Sequence, residues 1–504
     1  MEKKSKIGVI LAYFYLIIPF FIFSLTWLKP CFGIPFAIIV AFGFFLMCKT
    51  APELPVMKWD IGKLIFLLLL ILFWVYLSGV GAFTYQNADH DTRNAIFEVM
   101  VNNKWPVVMN LMRDGVMQER GLTYYIAFWI PAAAFGKVFG MAAGYAFQYW
   151  WAVYGVIVTY YLMCTFWKKN VIWPFVVFIL FDGWDLIGYY LTENTSYNML
   201  DWIHLERWTF LQYSSFTTQL FWVFNQAIPA WILILLLLHQ KSNKSIIAIW
   251  ATGLLYCTIP FVGMLPYVIY MIVKNGRQDC LHIEKNQKAA FFKGIITYQN
   301  LFVGGVIGIV SFLYLIMNTA VGETSLAMLE ELFFTTVHAA GNTNQGIIEI
   351  AGIRMDMMAY IVSIVLNVGI YFVAIYKYQK KKPLYYISLI WLFICPWGKV
   401  GTSNDFCMRA SIPALLVLFL LVIDSLIKCK EASDKSVFYA LVIILAIGSF
   451  SAVSEMGRTI SVTLQHKYEI IVNDPLSVMH GGNFSCNAEE SFFFKYLAEE
   501  RGNN

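Results

Sequence analysis

Thr217-Thr-Gln-Leu-Phe-Trp-Val-Phe-Asn-Gln-Ala-Ile-Pro-Ala-Trp-Ile-Leu-Ile-Leu-Leu-Leu-Leu238 decides the class of this protein. It holds no charged side chain and ends in a run of leucine and isoleucine. A helix needs about 20 mostly apolar residues to cross a hydrocarbon core of roughly 30 Å. Residues 217–238 meet that length, as do 7–27, 31–48, 61–80, 143–165, 299–320, 357–376, 409–427 and 437–454. Shorter or interrupted runs fall at 122–139, 171–190, 245–258, 260–273 and 384–397. The runs are solidly apolar rather than alternating with period two, which excludes a transmembrane β-barrel. The expected fold is an all-α, polytopic integral membrane protein.

The rest of the chain agrees. Of 504 residues, 59% are hydrophobic and only 13% charged, about half the roughly 25% charge of a soluble globular protein. That excludes a soluble enzyme, a disordered chain and a disulfide-stapled secreted module. The net charge of +5 implies no nucleic-acid partner, because the excess lysines sit in short loops between apolar runs. The nine cysteines show no paired spacing and read as packing residues. Met1–Lys6 followed by a long apolar run reads as a retained first helix rather than a signal peptide. Neither a G-x-x-x-x-G-K-[ST] loop nor a G-x-G-x-x-G turn occurs, which argues against an ATP-driven pump or a nucleotide-sugar site.

Lysine and arginine set the expected sidedness. Lys3, Lys4, Lys6, Lys168, Lys169, Lys241, Lys244 and the loops 274–298, 377–382 and 428–435 would be cytoplasmic. Outside would lie 81–121, 191–216, 321–356, 398–408 and 455–504. If 122–139 also crossed, Lys168 and Lys169 would land outside, so it is expected to lie on or dip into the outer face. This gives about 13 spans, the N-terminus in the cytoplasm, and interfacial helices in the outer loops. The transmembrane domain would cover 1–454 of a multi-pass plasma (inner) membrane protein, with 455–504 a short extracytoplasmic tail.

The outer segments carry the chemistry-bearing residues. In the first, Asp89 and Asp91 fall just beyond the 61–80 helix, and Arg93 to Val101 has the pattern of a short interfacial helix. A carboxylate there can act as a general base toward a hydroxyl, or the pair can hold a divalent cation, Mg or Mn. Equally, Asp89 can cap the helix while Asp91 pairs with Arg93. In the second, Asp182 and Asp185 interrupt an apolar span, where carboxylates are costly and mark a functional or water-lined site. His204, Glu206 and Arg207 follow among aromatic residues. Flat aromatic faces beside carboxylates and amides suit a sugar, and equally an interfacial aromatic belt. A belt does not explain Asn225 and Gln226 inside an apolar helix. In the third, Lys399 and Arg409 can clamp a lipid phosphate or pyrophosphate. Asn404, Asp405 and Arg409 lie within about one helical turn; alternatively they cap the next helix, with Arg409 paired to Asp405. His338 reads more readily as a hydrogen-bonded surface residue than as a ligand.

Asp89-His-Asp-Thr-Arg-Asn-Ala-Ile-Phe-Glu-Val-Met-Val-Asn-Asn-Lys-Trp-Pro-Val107 resembles the first outer loop of the polytopic GT-C glycosyltransferases, most closely their aminoarabinose and protein-mannosyl transferase branch. Leu122-Thr-Tyr-Tyr-Ile-Ala-Phe-Trp129 and Val138-Phe-Gly140 are similar to the segment that follows it. The resemblance covers residues 85–142. His90 stands where many members have a second acid, two spans precede the usual first one, and the C-terminal soluble domain of many relatives is absent. The rest of the chain resembles, more loosely, membrane proteins of bacterial surface-polysaccharide clusters.

The resemblance implies that Asp89 takes the place of the catalytic carboxylate, with Asp91 the competing candidate. The expected activity is transfer of a sugar from a polyprenyl-phosphate donor to a lipid-linked or polymeric glycan acceptor at the outer face, with inversion at the anomeric carbon. Arg409, Lys399 and Arg207 would neutralise the leaving phosphate. Arg93, Asp182, Asp185, His204, Glu206, Asn225, Gln226, Asn404 and Asp405 would bind substrate. Three other readings stay open. One is a polysaccharide polymerase or ligase that leans on arginines and a histidine. Another is a transporter or flippase with Asp182, Asp185 and Asp424 in its path. The last is a non-catalytic assembly subunit.

Overall fold

A computed structural model describes residues 3–113, 115–192, 203–209, 211–280, 287–317, 347–350, 353–398, 405–465, 470, 472, 474–480 and 484–499. It is mostly helical. Eight helices are long and apolar enough to cross a membrane: Ile7–Trp27, Pro30–Thr50, Trp173–Thr192, Phe216–His239, Thr258–Gln278, Met357–Gln379, Ile412–Glu431 and Lys435–Gln465. Ile61–Leu77, Ile130–Phe139, Asn300–Leu315 and Pro383–Trp397 are shorter apolar segments. The structure thus supports a multi-pass membrane protein with eight long spans, against the expected 13. Local sequence fixes several helix starts. Prolines occupy the first turn at Pro30, Pro383 and Pro413, where no amide partner is lost. Asp60 accepts from the Lys63 amide at 3.2 Å and Ser215 from the Thr218 amide at 2.9 Å.

Burial separates a centre from a rim. The apolar stretch of Phe216–His239 is 94% buried and that of Ile412–Glu431 83% buried, against 28% for Pro30–Thr50 and Lys435–Gln465. The first two form the middle of the bundle; the other two turn apolar side chains such as Phe42, Phe45, Tyr439 and Ile443 outward, as helices facing lipid do. Half of the described ion pairs, and a lysine–carbonyl contact, gather at one end. There Lys6 Nζ donates to the Lys49 carbonyl (2.7 Å), Lys169 meets Glu431 (2.7 Å), Lys377 meets Asp434 (2.5 Å), and Lys382 and Lys428 both reach Asp424 (2.7 and 2.8 Å).

Four features depart from a simple bundle. The Trp173–Thr192 span is broken into Trp173–Leu180 and Asp185–Thr192. The backbone of the break is held by neighbours: Trp184 N–H donates to the Leu366 carbonyl (2.9 Å), and Tyr371 OH to the Asp182 carbonyl (2.5 Å). Gly448 packs against the same break, where an added Cβ would stand 2.3 Å from the Asp182 carbonyl oxygen. Phe216–His239 folds back on itself at Val223 (φ −135°, ψ 35°). Trp231 Nε1 donates to Gln219 Oε1 at 2.9 Å across a separation of 12 residues, a distance of ~18 Å along a straight helix. The rings of Phe216 and Trp231 stand 5.9 Å apart for the same reason.

Ile130–Phe139, expected on or in the outer face, doubles back into Met141–Trp167 through Gly140, whose φ of +93° only glycine adopts freely. At the end remote from the clustered lysines, strands Val108–Arg113 and Val116–Leu122 form a hairpin, and Ser485–Asn487 adds a third strand, in register Arg120↔Asn487. Strands were not expected there. The last long helix runs to Gln465, past the expected boundary at 454, so the start of the expected tail is helical.

Candidate functional site

Two polar constellations sit in the bundle, joined by the half-helix that leads to Val223. The first lies where the Asp89–Asn102 helix meets the Asp405–Ala410 helix. Arg93 Nη2 donates to Asp89 Oδ2 at 2.8 Å, one turn along the same helix, with Arg93 8% and Asp89 42% exposed in their side chains. The Arg93 guanidinium also lies over the Phe224 ring, 5.7 Å from its centroid. Arg409 Nη2 reaches Asp405 Oδ2 at 3.2 Å, and its Nη1 donates to Tyr125 OH at 3.2 Å. Gln226 Nε2 donates to that phenol oxygen at 3.2 Å, and so does the Tyr124 hydroxyl. Three donors therefore converge on one phenol oxygen. Arg93 Nη1 and Arg409 Nε are buried without an acceptor among the described residues. Gln226 Oε1 is likewise buried without a donor among the described residues.

Electrostatics follow from this geometry. Burial pushes the Asp89 carboxyl up, but Arg93, with Arg409 behind it, holds it below the usual carboxylate range. His90 is pushed down to about 3 by burial, with Arg93 adding to the effect, so the imidazole is neutral. Its Nδ1 accepts from Gln86 Nε2 at 3.2 Å and its Nε2 donates to the Phe221 carbonyl at 3.0 Å. Asn87 Nδ2 donates to the same carbonyl at 2.8 Å. The fold at Val223 frees that carbonyl from the helical ladder, and the two side chains take it up. His90 is thus a brace, with both ring nitrogens engaged.

The second constellation lies at the break in Trp173–Thr192. One carboxylate oxygen each from Asp182, Asp185 and Glu206 lies within 4.8 Å of the others. The residues are 3%, 1% and 2% exposed. Trp208 Nε1 donates to Asp185 Oδ1 (2.7 Å) and Ser451 Oγ to Asp185 Oδ2 (3.1 Å). Gln212 Nε2 donates to Glu206 Oε2 (2.9 Å) and the Ser215 amide to Glu206 Oε1 (3.0 Å). A neighbouring group completes the network: His204 Nδ1 meets Glu455 Oε1 at 2.5 Å, Trp222 Nε1 donates to Glu455 Oε2 at 2.9 Å, and Arg458 pairs with Glu455.

Of the residues singled out in the sequence, Asp89, Arg93, Gln226, Asp405 and Arg409 are brought together in the first constellation, and Asp182, Asp185, His204 and Glu206 in the second. Asp91 points its carboxylate at the Thr92 amide and hydroxyl, rather than at Arg93. A cation shared by Asp89 and Asp91 would have to displace Arg93. Asn225 is wholly buried, its amide unpartnered among the described residues. Lys399, Asn404 and His338, and the side chain of Arg207, lie outside the described residues. Asp424 is tied to Lys382, Lys428 and Gln379 at the lysine-rich end and joins neither site.

The sequence reading missed Tyr125, Gln212, Ser451, Glu455 and Arg458. Glu455 and Arg458 carried a signal: an i, i+3 charge pair where the 437–454 periodicity continues. An apolar groove of about 770 Å³ at the lysine-rich end, lined by residues such as Trp173, Leu180, Phe438 and Leu445, has the lining a lipid acyl chain fills. It lies away from the first constellation, while its lining residues Leu180 and Ser449 lead up to the break that carries Asp182. Comparison of the chain with family models, curated proteins and solved structures finds no match in any of the three.

Proposed function

We propose that this chain is a membrane-embedded glycosyltransferase that takes a sugar from a polyprenyl-phosphate donor and gives it to a glycan or lipid-linked acceptor at the outer membrane face. The observation that carries the reading is a pair of buried guanidiniums near Tyr125, each with a nitrogen lacking an acceptor among the described residues, beside a half-exposed carboxylate. A phosphate supplies the missing acceptor oxygens, and arginine matches it in a bidentate fork.

In this reading Arg409 and Arg93 receive the donor phosphate. Moving Arg93 toward the phosphate loosens its hold on Asp89, which becomes the stronger base. Asp89 accepts the proton of an acceptor hydroxyl as that oxygen attacks the anomeric carbon. The bond to the phosphate oxygen breaks on the opposite side and the configuration inverts. The phosphate leaves on its lipid, its charge held by groups already in place. The clustered lysines make their own end cytoplasmic under the positive-inside tendency, which puts Asp89, at the other end, outside.

One observation favours a second reading, an ion-coupled transporter: carboxylates buried at a broken span are what transport sites use. The test is native mass spectrometry of the protein in lipid nanodiscs with polyprenyl phosphate. Wild type and Asp89→Asn retain the lipid and Arg409→Ala loses it if the transferase reading holds. Equal retention by all three, or by none, contradicts it.

A further inference from the structure

The acidic group at Asp182, Asp185 and Glu206 is not used by the proposed transfer, and no ion pair with any of the three is seen among the described residues. The nearby His204 is committed to Glu455. Asp182 Oδ2 is buried with no hydrogen-bond donor among the described residues, and its carboxylate lies within 4.8 Å of the other two. Ionised carboxylates at such distances repel strongly, and burial removes the water that would screen them. A shared proton or a bound cation relieves that repulsion.

We propose that Asp182, Asp185 and Glu206 bind a divalent metal cation of the hard, oxygen-preferring class, such as Ca²⁺, Mg²⁺ or Mn²⁺. The spacing suits Ca²⁺ best: oxygens at ~2.3–2.6 Å from one ion stand at most about 5.2 Å apart and these lie within 4.8 Å of one another, whereas Mg²⁺ at ~2.0–2.1 Å needs them to draw in to about 4.2 Å. All-oxygen donors exclude a preference for zinc or copper. The flanking donors are also those of a metal site. Trp208, Ser451, Gln212 and the Ser215 amide each hold one lone pair of a carboxylate oxygen, which orients the carboxylates and leaves further lone pairs for an ion.

The ion ties together four separate pieces of chain. These are the break after Leu180, the 203–209 segment, the start of the half-helix at Ser215, and the long Lys435–Gln465 helix through Ser451. The proposal is independent of the lipid-phosphate reading, since none of these residues touches Asp89, Arg93 or Arg409.

The full chain in nanodiscs, stripped with EDTA and equilibrated with Mn²⁺, is the test. One Mn²⁺ per chain is expected, displaced by Ca²⁺ or Mg²⁺ and raising the melting temperature. Asp182→Asn weakens binding about 10-fold or more, while Asp89→Asn leaves it unchanged. Should Asp182→Asn fail to fold, wild type decides the matter: Fe²⁺ in the site with ascorbate and peroxide cuts the backbone near residues 182, 206 and 451. No Mn²⁺ retained at millimolar concentration, unchanged affinity in Asp182→Asn, or cuts near residues 89–91 overturn the proposal. Polyprenyl-phosphate retention in EDTA is measured separately and bears on the transferase reading alone.

Discussion

The two polar constellations handle charge in opposite ways. Around Asp89, each carboxylate has an arginine one turn along its own helix, and the acids are the more exposed partners. At Asp182, Asp185 and Glu206, three acids are buried and held by neutral donors, with no ion pair to them among the described residues. The first is a cluster of buried arginines whose acids reach the surface, suited to an anion that comes and goes. The second is an enclosed acceptor-rich nest, suited to a resident cation. In a membrane protein both are costly, and each is matched by the ligand charge proposed for it.

This contrast can be broken most sharply at Arg409. Arg409→Ala should lower transfer about 10²–10³-fold, as removing a preorganised donor to a developing anion does. Its melting temperature in detergent should stay near wild type, because Asp405 is left half-exposed to water. A collapse of the fold instead would make the Asp89 cluster structural and erase the contrast.

Gly448→Ala should act only on the acidic site. Its methyl would meet the Asp182 carbonyl at 2.3 Å, and such overpacking costs about 1–3 kcal/mol. Thermal unfolding in detergent measures the loss, while polyprenyl-phosphate retention should be unaffected.

The pH dependence sharpens the comparison from the other side. Folded His90 stays neutral down to about 3, against a usual value of 6.5. The unfolded chain therefore binds more protons between those values, and stability falls as the pH drops from about 6.5. Asp89, also held low by its arginine, acts in the same direction. Melting curves should slope downward toward acid, and His90→Gln should flatten part of that slope. A slope unchanged by the substitution would remove His90 from the account.

The smallest effect is expected at the lysine-rich end. Lys428→Met leaves Lys382 and Gln379 on Asp424, and a part-exposed pair of this kind contributes less than about 1 kcal/mol.

Local signals carried the apolar spans and the lysine-rich end, and singled out Asp89, Asp182 and Arg409 as candidates. The rest depends on contacts far apart in sequence. The fold at Val223 has no glycine or proline at the bend; the visible breaker is Pro229, and what holds the turn is Gln219 on Trp231 with Asn87 and His90 on the Phe221 carbonyl. The hairpin at Val108–Leu122 alternates weakly and gains its third strand from residues 485–487. Glu206 looks like one more interfacial acid until Ser215 and Gln212 turn it toward Asp182. Spacing alone cannot report such partners. The pairing of Asp89 with Arg93 at i+4, rather than Asp91 with Arg93 at i+2, was legible: only the former places the two side chains on one helix face.

Turnover tests the central claim most directly. Reconstituted wild type, Asp89→Asn and Arg409→Ala would be supplied with polyprenyl-phosphate-linked sugars extracted from bacterial membranes, and free polyprenyl phosphate would be measured. Wild type should release it; Asp89→Asn should bind the donor yet release it roughly 10²–10⁴-fold more slowly, as loss of a general base does; Arg409→Ala should do neither. An Asp89→Asn protein as active as wild type, or a wild type that releases nothing, would contradict the account.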